Sequence, residues 1–399
     1  MQAATDTTTL LLTGDVMTGR DIDQVLPHPA SPELHEAWVR DARDYVRMAE
    51  QVNGRIPAPV PARYLWGDAL QDIERMDPGA RIVNLETAVT AAGEPWPDKG
   101  IHYRMHPGNI TCLDAANVDV CSLANNHTLD WGRDGLAETL GSLSKAGLCT
   151  AGAGMDAAHA CAPAVLPLNA GRRLLVFSWA APDCGVPDEW DATPNRPGIA
   201  LLRDLGDTGL QQIADAASGH RHEGDLVLLS IHWGANWVDA VPHVHRRFAR
   251  ELIDRGVVDV VHGHSSHHPL PFEVHHGKLI QYGCGDLIND YEGITPHGHY
   301  PQDVACLYFA TLSQGSGRLV RLRIVPLQRR AFRLVRADST ARASIRRALR
   351  LDNGFARQVQ WQPDGHWVLE AQAIALDRQP PDCAAFDASH DATRGKCHR

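Results

Sequence analysis

The stretch Ser122-Leu123-Ala124-Asn125-Asn126-His127-Thr128-Leu129-Asp130 decides the fold. It follows an apolar run and precedes a helical pattern, so we expect its amide and imidazole side chains at the carboxyl end of a buried strand. Open α/β sheets usually bind their ligands at that edge. An amide oxygen can ligate a divalent metal, and an imidazole can transfer a proton near neutral pH. The stretch therefore indicates a ligand site at this strand end.

Four other apolar strands end in side chains of the same kind. These ends carry an aspartate, a glutamate, a histidine and a histidine cluster, in the segments Thr9–Asp15, Ala80–Glu86, Leu226–Gly234 and Val257–His268. A single aspartate after a strand commonly caps a helix, and a single histidine is more often a core residue than a ligand. Five such strand ends are hard to explain by capping. Carboxylate, amide and imidazole groups together suit a divalent metal, so the sequence predicts a metal centre.

The motifs around these residues resemble the CapA-type family. That family is named for poly-γ-glutamate capsule synthesis and is a distant branch of the calcineurin-like metallophosphoesterases. The matching motifs follow in order between residues 8 and 312: Gly14-Asp15-Val16-Met17, Asn84-Leu85-Glu86, Ala124-Asn125-Asn126-His127, Ile231-His232-Trp233-Gly234 and Gly263-His264-Ser265-Ser266-His267. The resemblance implies an α/β fold, a four-layer α/β/β/α sandwich of the metallophosphoesterase type.

The same resemblance implies which residues form the site. The implied metal ligands are Asp15, Glu86, Asn126, His232, His264 and His267. His127 would then be an acid or base beside the metals. We expect one or two divalent ions as cofactor, and the mixture of oxygen and nitrogen ligands leaves Mn²⁺, Zn²⁺, Fe²⁺, Ca²⁺ and Mg²⁺ open.

Two positions depart from the family's pattern. Met17 stands where phosphoesterases of this fold usually have a histidine. A thioether is a poor ligand for a hard divalent metal, so one metal position is expected to be weak, shared or empty. Asp286 stands where the family tends to have asparagine. It adds a negative charge as a ligand or as a general base, and we group it with His127 as a catalytic residue.

Strand and helix patterns alternate from residue 8 to about 290, which is typical of an α/β domain. We predict a catalytic domain over 1–312 with an insert at 25–67, followed by a C-terminal strand and helix extension over 313–399 that packs on it. The insert directly follows the Asp15 strand and is therefore expected to form a lid or a substrate wall. The Pro-rich loop 182–198 is a second candidate for the rim of the site.

Local patterns predict several individual elements. Helices are expected over 33–51, 130–145, 242–256 and 339–351, a strand over 319–325, and a hairpin around Pro363-Asp364-Gly365. The dense basic residues between 318 and 350 are interpreted as a solvated helix face plus a strand edge.

Composition excludes several classes of protein. The chain has 399 residues, 44% of them hydrophobic and 22% charged, as in ordinary globular proteins. The net charge of −10 does not indicate a nucleic-acid-binding protein. Nine cysteines without a Cys-x-x-Cys pair indicate reduced thiols in a cytosolic protein. The sequence shows neither a signal-peptide pattern nor an apolar run of about 18 residues. We therefore expect a cytoplasmic location and no membrane partner, and leave the oligomeric state open.

Two types of reaction suit such a metal site. The metal can generate hydroxide for hydrolysis, or it can act as a Lewis acid on a carbonyl or carboxylate oxygen. The second action makes the neighbouring Cα proton acidic, and acid–base groups on opposite faces of that carbon would then invert it. The histidines expected at the rim, with titration near neutral pH, are His127, His262, His264, His267 and His268.

The CapA-type branch is similar to enzymes found beside lasso-peptide precursors. We therefore predict a metal-dependent peptide epimerase that inverts one residue of a ribosomal precursor peptide, with that peptide as its partner. The alternatives are a metal-dependent hydrolase of a phosphoester or of a γ-glutamyl or other amide bond, and a polyglutamate capsule biosynthesis protein. A non-catalytic scaffold that binds an acidic polymer is a further alternative.

Overall fold

Two β-sheets packed face to face form the centre of the molecule. The computed structural model describes residues 7–294, 300–351 and 358–371. Strands are numbered along the chain as β1 Thr7–Val16, β2 Ala80–Leu85, β3 Ala88–Val89, β4 Arg104–Met105, β5 Val120–Ser122, β6 Cys149–Ala151, β7 Ala153–Gly154, β8 Ala164–Pro167, β9 Arg173–Ala180, β10 Gly198–Ile199, β11 Leu226–His232, β12 Val260–His264, β13 Phe272–His275, β14 Lys278–Gln281, β15 Asp286–Ile288, β16 Val304–Ser313, β17 Leu319–Arg330, β18 Arg333–Arg336, β19 Gln360–Trp361 and β20 Trp367–Glu370.

Helices pack against both sheets. They are α1 Arg20–Val25, α2 Ala42–Asn53, α3 Ala69–Met76, α4 Thr111–Asp114, α5 Gly132–Lys145, α6 Ala157–Cys161, α7 Asp207–Ser218, α8 His243–Asp254 and α9 Ser339–Ala348. No helix within the described ranges is both long and apolar enough to cross a membrane.

The first sheet has ten strands. Eight of them follow the order β19-β20-β17-β16-β1-β2-β5-β6, and in addition β15 pairs with β1 and β18 pairs with β17. The second sheet has the order β13-β14-β12-β11-β9-β8. Strands β1, β2, β5 and β6 are parallel to one another, and so are β9, β11, β12 and β14. Parallel strands end at the same edge of a sheet, so each sheet collects its strand ends in one place.

Alternating side chains explain the layers. Leu10 and Leu12 of β1 share one apolar core with Leu228 of β11, so they fill the space between the sheets. Leu11 packs outward in the core that holds α1, α3 and α5. Leu229 packs outward in the core that holds α7 and α8. The period of two in a strand produces this division. The layers run helix, sheet, sheet, helix, which confirms the predicted α/β/β/α sandwich.

The predicted elements occur with shifted bounds, and the shift is largest at the start of one helix and at the end of one strand. The helix expected over 33–51 begins only at Ala42, because the side chain of Asp41 caps it by accepting from the Arg43 N–H. The strand expected over 319–325 continues to Arg330, because its last residues pair with β18. All seven cysteines in the described ranges are free, and five of them are buried.

The C-terminal extension continues the first sheet. Strand β17 pairs with β16 along its length, and β20 adds to β17. Residues 352–357 and 372–399 of this predicted extension lie outside the described ranges. Several basic residues here pair with carboxylates at the surface, as in Arg321–Glu370 and Arg330–Asp338. Arg329 differs from the predicted solvated face, because it is buried and its Nη1 donates to the Asp286 carbonyl at 2.6 Å.

A buried ion network joins this extension to α3. The side chain of Asp72 has no exposed surface, lies 3.1 Å from His366 Nε2, and also pairs with Arg336 and Arg75. These contacts hold the pKa of Asp72 below its usual value despite burial, which acts in the opposite direction.

We expect Asp72→Ala to lower the free energy of unfolding by about 1–3 kcal/mol, because His366 would be left buried without its carboxylate. Urea unfolding measures this change. Glu74→Ala on the same helix is the matched control. Glu74 pairs with Arg63 at the surface, where both side chains are more than half exposed. It should therefore change stability by at most about 1 kcal/mol. Equal losses in the two variants would contradict the network's role.

Candidate metal centre and acid–base site

The predicted ligands collect at the carboxyl ends of both sheets. In the first sheet, Asp15 is the second-last residue of β1, and Glu86 directly follows β2. His232 and His264 are the last residues of β11 and β12 in the second sheet. Both sheets thus contribute ligands to a cleft between their edges. The sequence predicts that these residues lie at strand ends, the family resemblance implies that they are ligands, and the packing of the two sheets brings them together.

Asp286 enters the site beside Asp15 through a close backbone contact. Strand β15 pairs with β1 in parallel, with Asp15 opposite Asp286, and the Asp15 N–H donates to Gly285 O at 3.0 Å. A Cβ on Gly14 would lie 1.4 Å from that same oxygen. Glycine at position 14 is therefore required for the two aspartates to be neighbours.

Two groups of ligand atoms share Asp15. Asp15, His232 and His264 form one, and Asp15, His267 and Asp286 form the other, with all ligand atoms in a group within 4.8 Å of one another. His267 Nδ1 lies 2.9 Å from Asp286 Oδ1 and 3.9 Å from Asp15 Oδ2. This geometry suits two adjacent cations with Asp15 between them. It also places Asp286, predicted as a catalytic residue or a ligand, in a ligand position.

The backbone around His267 is strained. Ser265 and His267 have φ values of 94° and 57°, in the left-handed region that favours glycine. Such conformations cost about 1–3 kcal/mol each and persist where the surrounding structure enforces them. The strain turns the imidazole of His267 towards Asp15 and Asp286.

Burial dominates the electrostatics of the carboxyl groups. It raises the pKa of Asp15 to about 7, with a further increase from the charge of Asp286. Burial and the neighbouring charge of Asp15 raise the pKa of Glu86 well above its usual value. Burial lowers the pKa of His232 and His264 well below the usual value, so both imidazoles are neutral, as metal ligation requires. Asp15, Glu86 and Asp286 are buried close together, so a nearby cation is needed to keep all three carboxylates ionised.

Three buried atoms support a cation at this place. Glu86 Oε1, Asn126 Oδ1 and His232 Nε2 have no hydrogen-bond partner in the described part of the chain. Buried polar atoms are nearly always paired, so unpaired carboxylate, amide and imidazole atoms at one cleft fit a missing ligand. The donor set of oxygen and imidazole nitrogen suits a divalent metal of the Mn²⁺, Fe²⁺ or Zn²⁺ type.

Neighbouring asparagines hold the motifs in place. Asn84 Nδ2 donates to Asp15 Oδ1 at 2.8 Å and to Glu86 Oε2 at 3.2 Å, so it orients two ligands. Asn125 Nδ2 donates to Asn84 Oδ1 at 3.1 Å, and Asn125 Oδ1 accepts from the His127 N–H at 3.0 Å. Of the Asn-Asn pair, the first residue therefore supports the structure and the second is left for ligation.

His127 lies beside the carboxylates and forms an acid–base assembly with Asp130 and Lys99. Its Nδ1 is 2.7 Å from Asp130 Oδ2, and its Nε2 is 3.8 Å from Glu86 Oε1. Lys99 Nζ lies 2.6 Å from Asp130 Oδ1. The edge of the Tyr103 ring contacts the imidazole at a centroid distance of 4.7 Å. A base held by an oriented carboxylate is the arrangement that activates a nucleophile.

The charge state of this assembly follows from burial and pairing. Burial lowers the pKa of His127 to about 4, although the charge of Asp130 opposes this. Burial would raise the pKa of Asp130, but the charge of Lys99 and the hydrogen bonds from His127 and Lys99 bring it below its usual value. The imidazole is therefore neutral, and its Nδ1 lies 2.7 Å from Asp130 Oδ2 and 3.0 Å from Lys99 Nζ. Its Nε2 is on the side of the metal ligands, 3.8 Å from Glu86 Oε1.

Two of the histidines expected at the rim have structural roles instead. His262 is fully buried, and its Nε2 lies 2.6 Å from the Thr13 carbonyl. Burial lowers its pKa to about 4, and it also lowers the pKa of His127 and His264, so the prediction of titration near neutral pH is wrong for these three histidines. His268 Nε2 donates to the Val238 carbonyl at 2.9 Å. Both rings satisfy backbone carbonyls between strands.

Met17 is buried next to the site and makes a sulfur contact. The Tyr291 hydroxyl lies 3.9 Å from Met17 Sδ. The Tyr291 ring contacts the His267 ring at a centroid distance of 5.9 Å. The Trp237 ring contacts the same His267 ring at 5.4 Å. The position that a histidine usually occupies is thus filled by a soft, apolar side chain. Ligand atoms on that side come from Asp286 and His267.

The insert is anchored to the acid–base side of the cleft. Buried Arg20 donates from Nε to Asp290 Oδ2 at 2.5 Å and from Nη1 to Glu36 Oε1 of the insert at 2.9 Å. The hydroxyl of Tyr103, whose ring touches His127, donates to Asp290 Oδ1 at 2.7 Å. The insert is therefore linked to the His127 assembly by a continuous chain of contacts.

The Pro-rich loop 182–198 also reaches this side. Its Trp190 ring packs against Trp96 at 5.5 Å, and Lys99 Nζ lies 5.8 Å from the Trp190 centroid. The loop thereby supports the ammonium group that holds Asp130.

The sequence interpretation missed the partners of His127. Asp130 had a detectable signal, because it lies three residues after His127 in the same motif and can meet it in one turn. Lys99 and Tyr103 had no such signal, because they come from an irregular segment about 30 residues earlier. Only folding of that segment over the strand ends brings them to the site.

Comparisons with known proteins give a family match and several relatives. The family model described as bacterial capsule synthesis protein PGA_cap matches residues 9–291. A probable polyglutamine synthesis accessory protein of Mycobacterium tuberculosis is 44% identical over 366 residues, which are 90% of this chain and 95% of that protein. The PGA biosynthesis protein CapA of Bacillus subtilis is 27% identical over 263 residues, covering 66% and 65% of the two chains. A solved phosphatase structure from Mycoplasma pneumoniae covers 86% of this chain and 99% of its own, at 11% identity and a TM-score of 0.41.

Proposed function

Because the chain belongs to the bacterial capsule synthesis protein family PGA_cap, we propose that it is a metal-dependent hydrolase that acts on an amide-linked poly-amino-acid during the synthesis of such a polymer. The arrangement of His127, Asp130 and Lys99 beside the metal ligands is the observation that carries this proposal. Its partner is then a peptide-like polymer.

The family and its members favour the alternative of capsule biosynthesis over the predicted peptide epimerase. The names of the two relatives described above concern polyglutamine synthesis and PGA biosynthesis. The site points the same way. Inversion at Cα needs acid–base groups on opposite faces of the carbon. The His127 assembly supplies one such group, and Asp286, the other residue predicted as catalytic, lies with His267 among the ligand atoms. His262 and His268 bond to backbone carbonyls.

The protein residues divide the work of hydrolysis. A divalent ion bound by the predicted ligands would polarise the scissile carbonyl and lower the pKa of a water molecule. His127 Nε2 accepts the proton of the attacking water and returns it to the leaving amine. Asp130 holds the imidazole in the required tautomer and stabilises its charged form. Lys99 keeps Asp130 ionised and fixed.

The proposal is tested by product analysis. The metal-loaded protein is incubated in ¹⁸O-labelled water with poly-γ-glutamate, with α-linked polyglutamine and with p-nitrophenyl phosphate. We expect shorter chains that carry one labelled oxygen per cleavage, and loss of cleavage with a chelator. Intact chains with every polymer would contradict the proposal. Phosphate release alone would indicate a phosphoesterase, and uptake of solvent deuterium at Cα without cleavage would indicate an epimerase.

A further inference from the structure

A second cluster of metal-ligating side chains lies far from the site described above. Asp254 is the last residue of α8, His275 is the last residue of β13, and His276 lies in the turn to β14. Strand β14 begins beside the start of β12, since Val260 is opposite Leu279, whereas His264 ends β12. The three residues are therefore at the opposite end of the second sheet from the candidate metal centre.

The side chains converge on one oxygen atom. His275 Nε2 lies 2.7 Å and His276 Nε2 lies 3.3 Å from Asp254 Oδ1. The two rings meet edge to face at a centroid distance of 4.4 Å, and the three ligand atoms lie within 4.8 Å of one another. Ligand atoms on a tetrahedral Zn²⁺ are about 3.3 Å apart, because Zn–N and Zn–O distances are about 2.0–2.1 Å. The 3.3 Å separation matches this value, and the 2.7 Å separation is shorter than it.

The surroundings favour a cation. The last carbonyls of α8 give that helix end about half a negative elementary charge, next to the carboxylate of Asp254. A second carboxylate, Glu273 Oε1, lies 3.8 Å from His275 Nδ1, the ring nitrogen that points away from Asp254. At this distance Glu273 adds negative charge beside the ring without a direct hydrogen bond to it.

The positive groups nearby are engaged with other partners. Arg250 Nε donates to Glu273 Oε1 at 2.8 Å, and Lys278 Nζ pairs with Asp259 at 2.6 Å. Arg318 Nη1 donates to the backbone carbonyl of His276 at 3.0 Å, on the backbone side of the turn. The imidazoles and Asp254 are therefore left facing one another and the solvent.

The turn itself does not explain the histidine at position 276. His275 pairs with Lys278, so His276 and Gly277 form a two-residue turn, with φ values of 48° and 81°. Turns of this kind prefer Asn-Gly, because asparagine adopts the left-handed conformation at a lower cost than most residues. Histidine is not the residue that this turn prefers, and the His276 ring lies against Asp254.

We propose that Asp254, His275 and His276 form a divalent transition-metal site that joins the end of α8 to the β13–β14 hairpin. Two imidazoles and one carboxylate on an exposed surface favour Zn²⁺, Ni²⁺ or Co²⁺ over Mg²⁺ and Ca²⁺. The fourth position is open to water. This site is separate from the hydrolytic centre and holds a helix and a hairpin at a fixed distance.

Zinc binding by designed variants tests the site. The full chain is stripped with a chelator, and Zn²⁺ bound per chain is measured by equilibrium dialysis. We expect His275→Ala/His276→Ala to bind one Zn²⁺ fewer per chain than the wild type. His243→Ala, which removes an exposed histidine at the other end of α8, should bind the same amount as the wild type. Equal binding by the double variant and the wild type would overturn the proposal.

A second variant guards against a folding effect. His276→Asn suits the left-handed turn and removes the imidazole, so the metal-free protein should keep its melting temperature or raise it. Zn²⁺ should raise the melting temperature of the wild type through this site and have a smaller effect on His276→Asn, because a ligand stabilises the fold that binds it. The same Zn²⁺-induced increase in both proteins would refute the assignment.

Discussion

Replacing His127 by glutamine is expected to lower kcat for polymer cleavage by about 10²–10⁴-fold, the usual contribution of a general acid–base group. Glutamine keeps a polar side chain of similar length but cannot accept and return a proton. Metal content and the melting temperature should stay at the wild-type values, because His127 lies beside the predicted metal ligands and does not bind the metal itself. Steady-state kinetics and metal analysis of the purified variant measure the two effects.

Asp130→Asn gives the matched comparison. The amide keeps the contact with the imidazole, but it cannot stabilise the charged ring, so kcat should fall less than in His127→Gln. A His127→Gln protein that unfolds, or that cleaves polymer at the wild-type rate, would show that His127 is a core residue without a catalytic role.

His232→Ala and His267→Ala are expected to remove metal, each from one of the two ligand groups that share Asp15. The affinity for the divalent ion should fall by at least about tenfold, since removal of even a supporting group near a metal ligand costs that much. Polymer cleavage should then fall to the level of the chelated enzyme. Metal analysis after dialysis, with Mn²⁺, Zn²⁺ and Fe²⁺ compared, measures the loss and identifies the ion.

His268→Asn is the control for these two variants. His268 is the neighbour of His267 and is also buried, but it bonds to the carbonyls of Val238 and Pro269. Its replacement should leave the metal content unchanged. Wild-type metal content in both His232→Ala and His267→Ala would refute the predicted ligand set.

The position of the insert was predictable from the sequence, but its contacts were not. Its position after the Asp15 strand predicts that it lies near the cleft, and Glu36 of the insert does contact Arg20 beside that strand. The sequence did not indicate that Arg20 would be buried between Glu36 and Asp290, which are 254 residues apart in the chain. Pairs of this separation form only when distant segments fold against each other.

The sequence by itself determined the place of the site, whereas the four layers were implied by the family resemblance. Apolar runs that end in ligand-type side chains mark the strand ends, and parallel strands bring these carboxyl ends, with Asp15, His127 and His232, to common edges. These signals are local, because each is written within one strand and the residues after it.

Only the tertiary structure decided which groups act together. It paired Asp286 with Asp15 through the close approach at Gly14, set Lys99 against Asp130, and turned His262 inward to Thr13. These contacts depend on strand register and on loops that close over long distances. Their energies come from burial and pairing in the folded chain, so no short stretch of sequence specifies them.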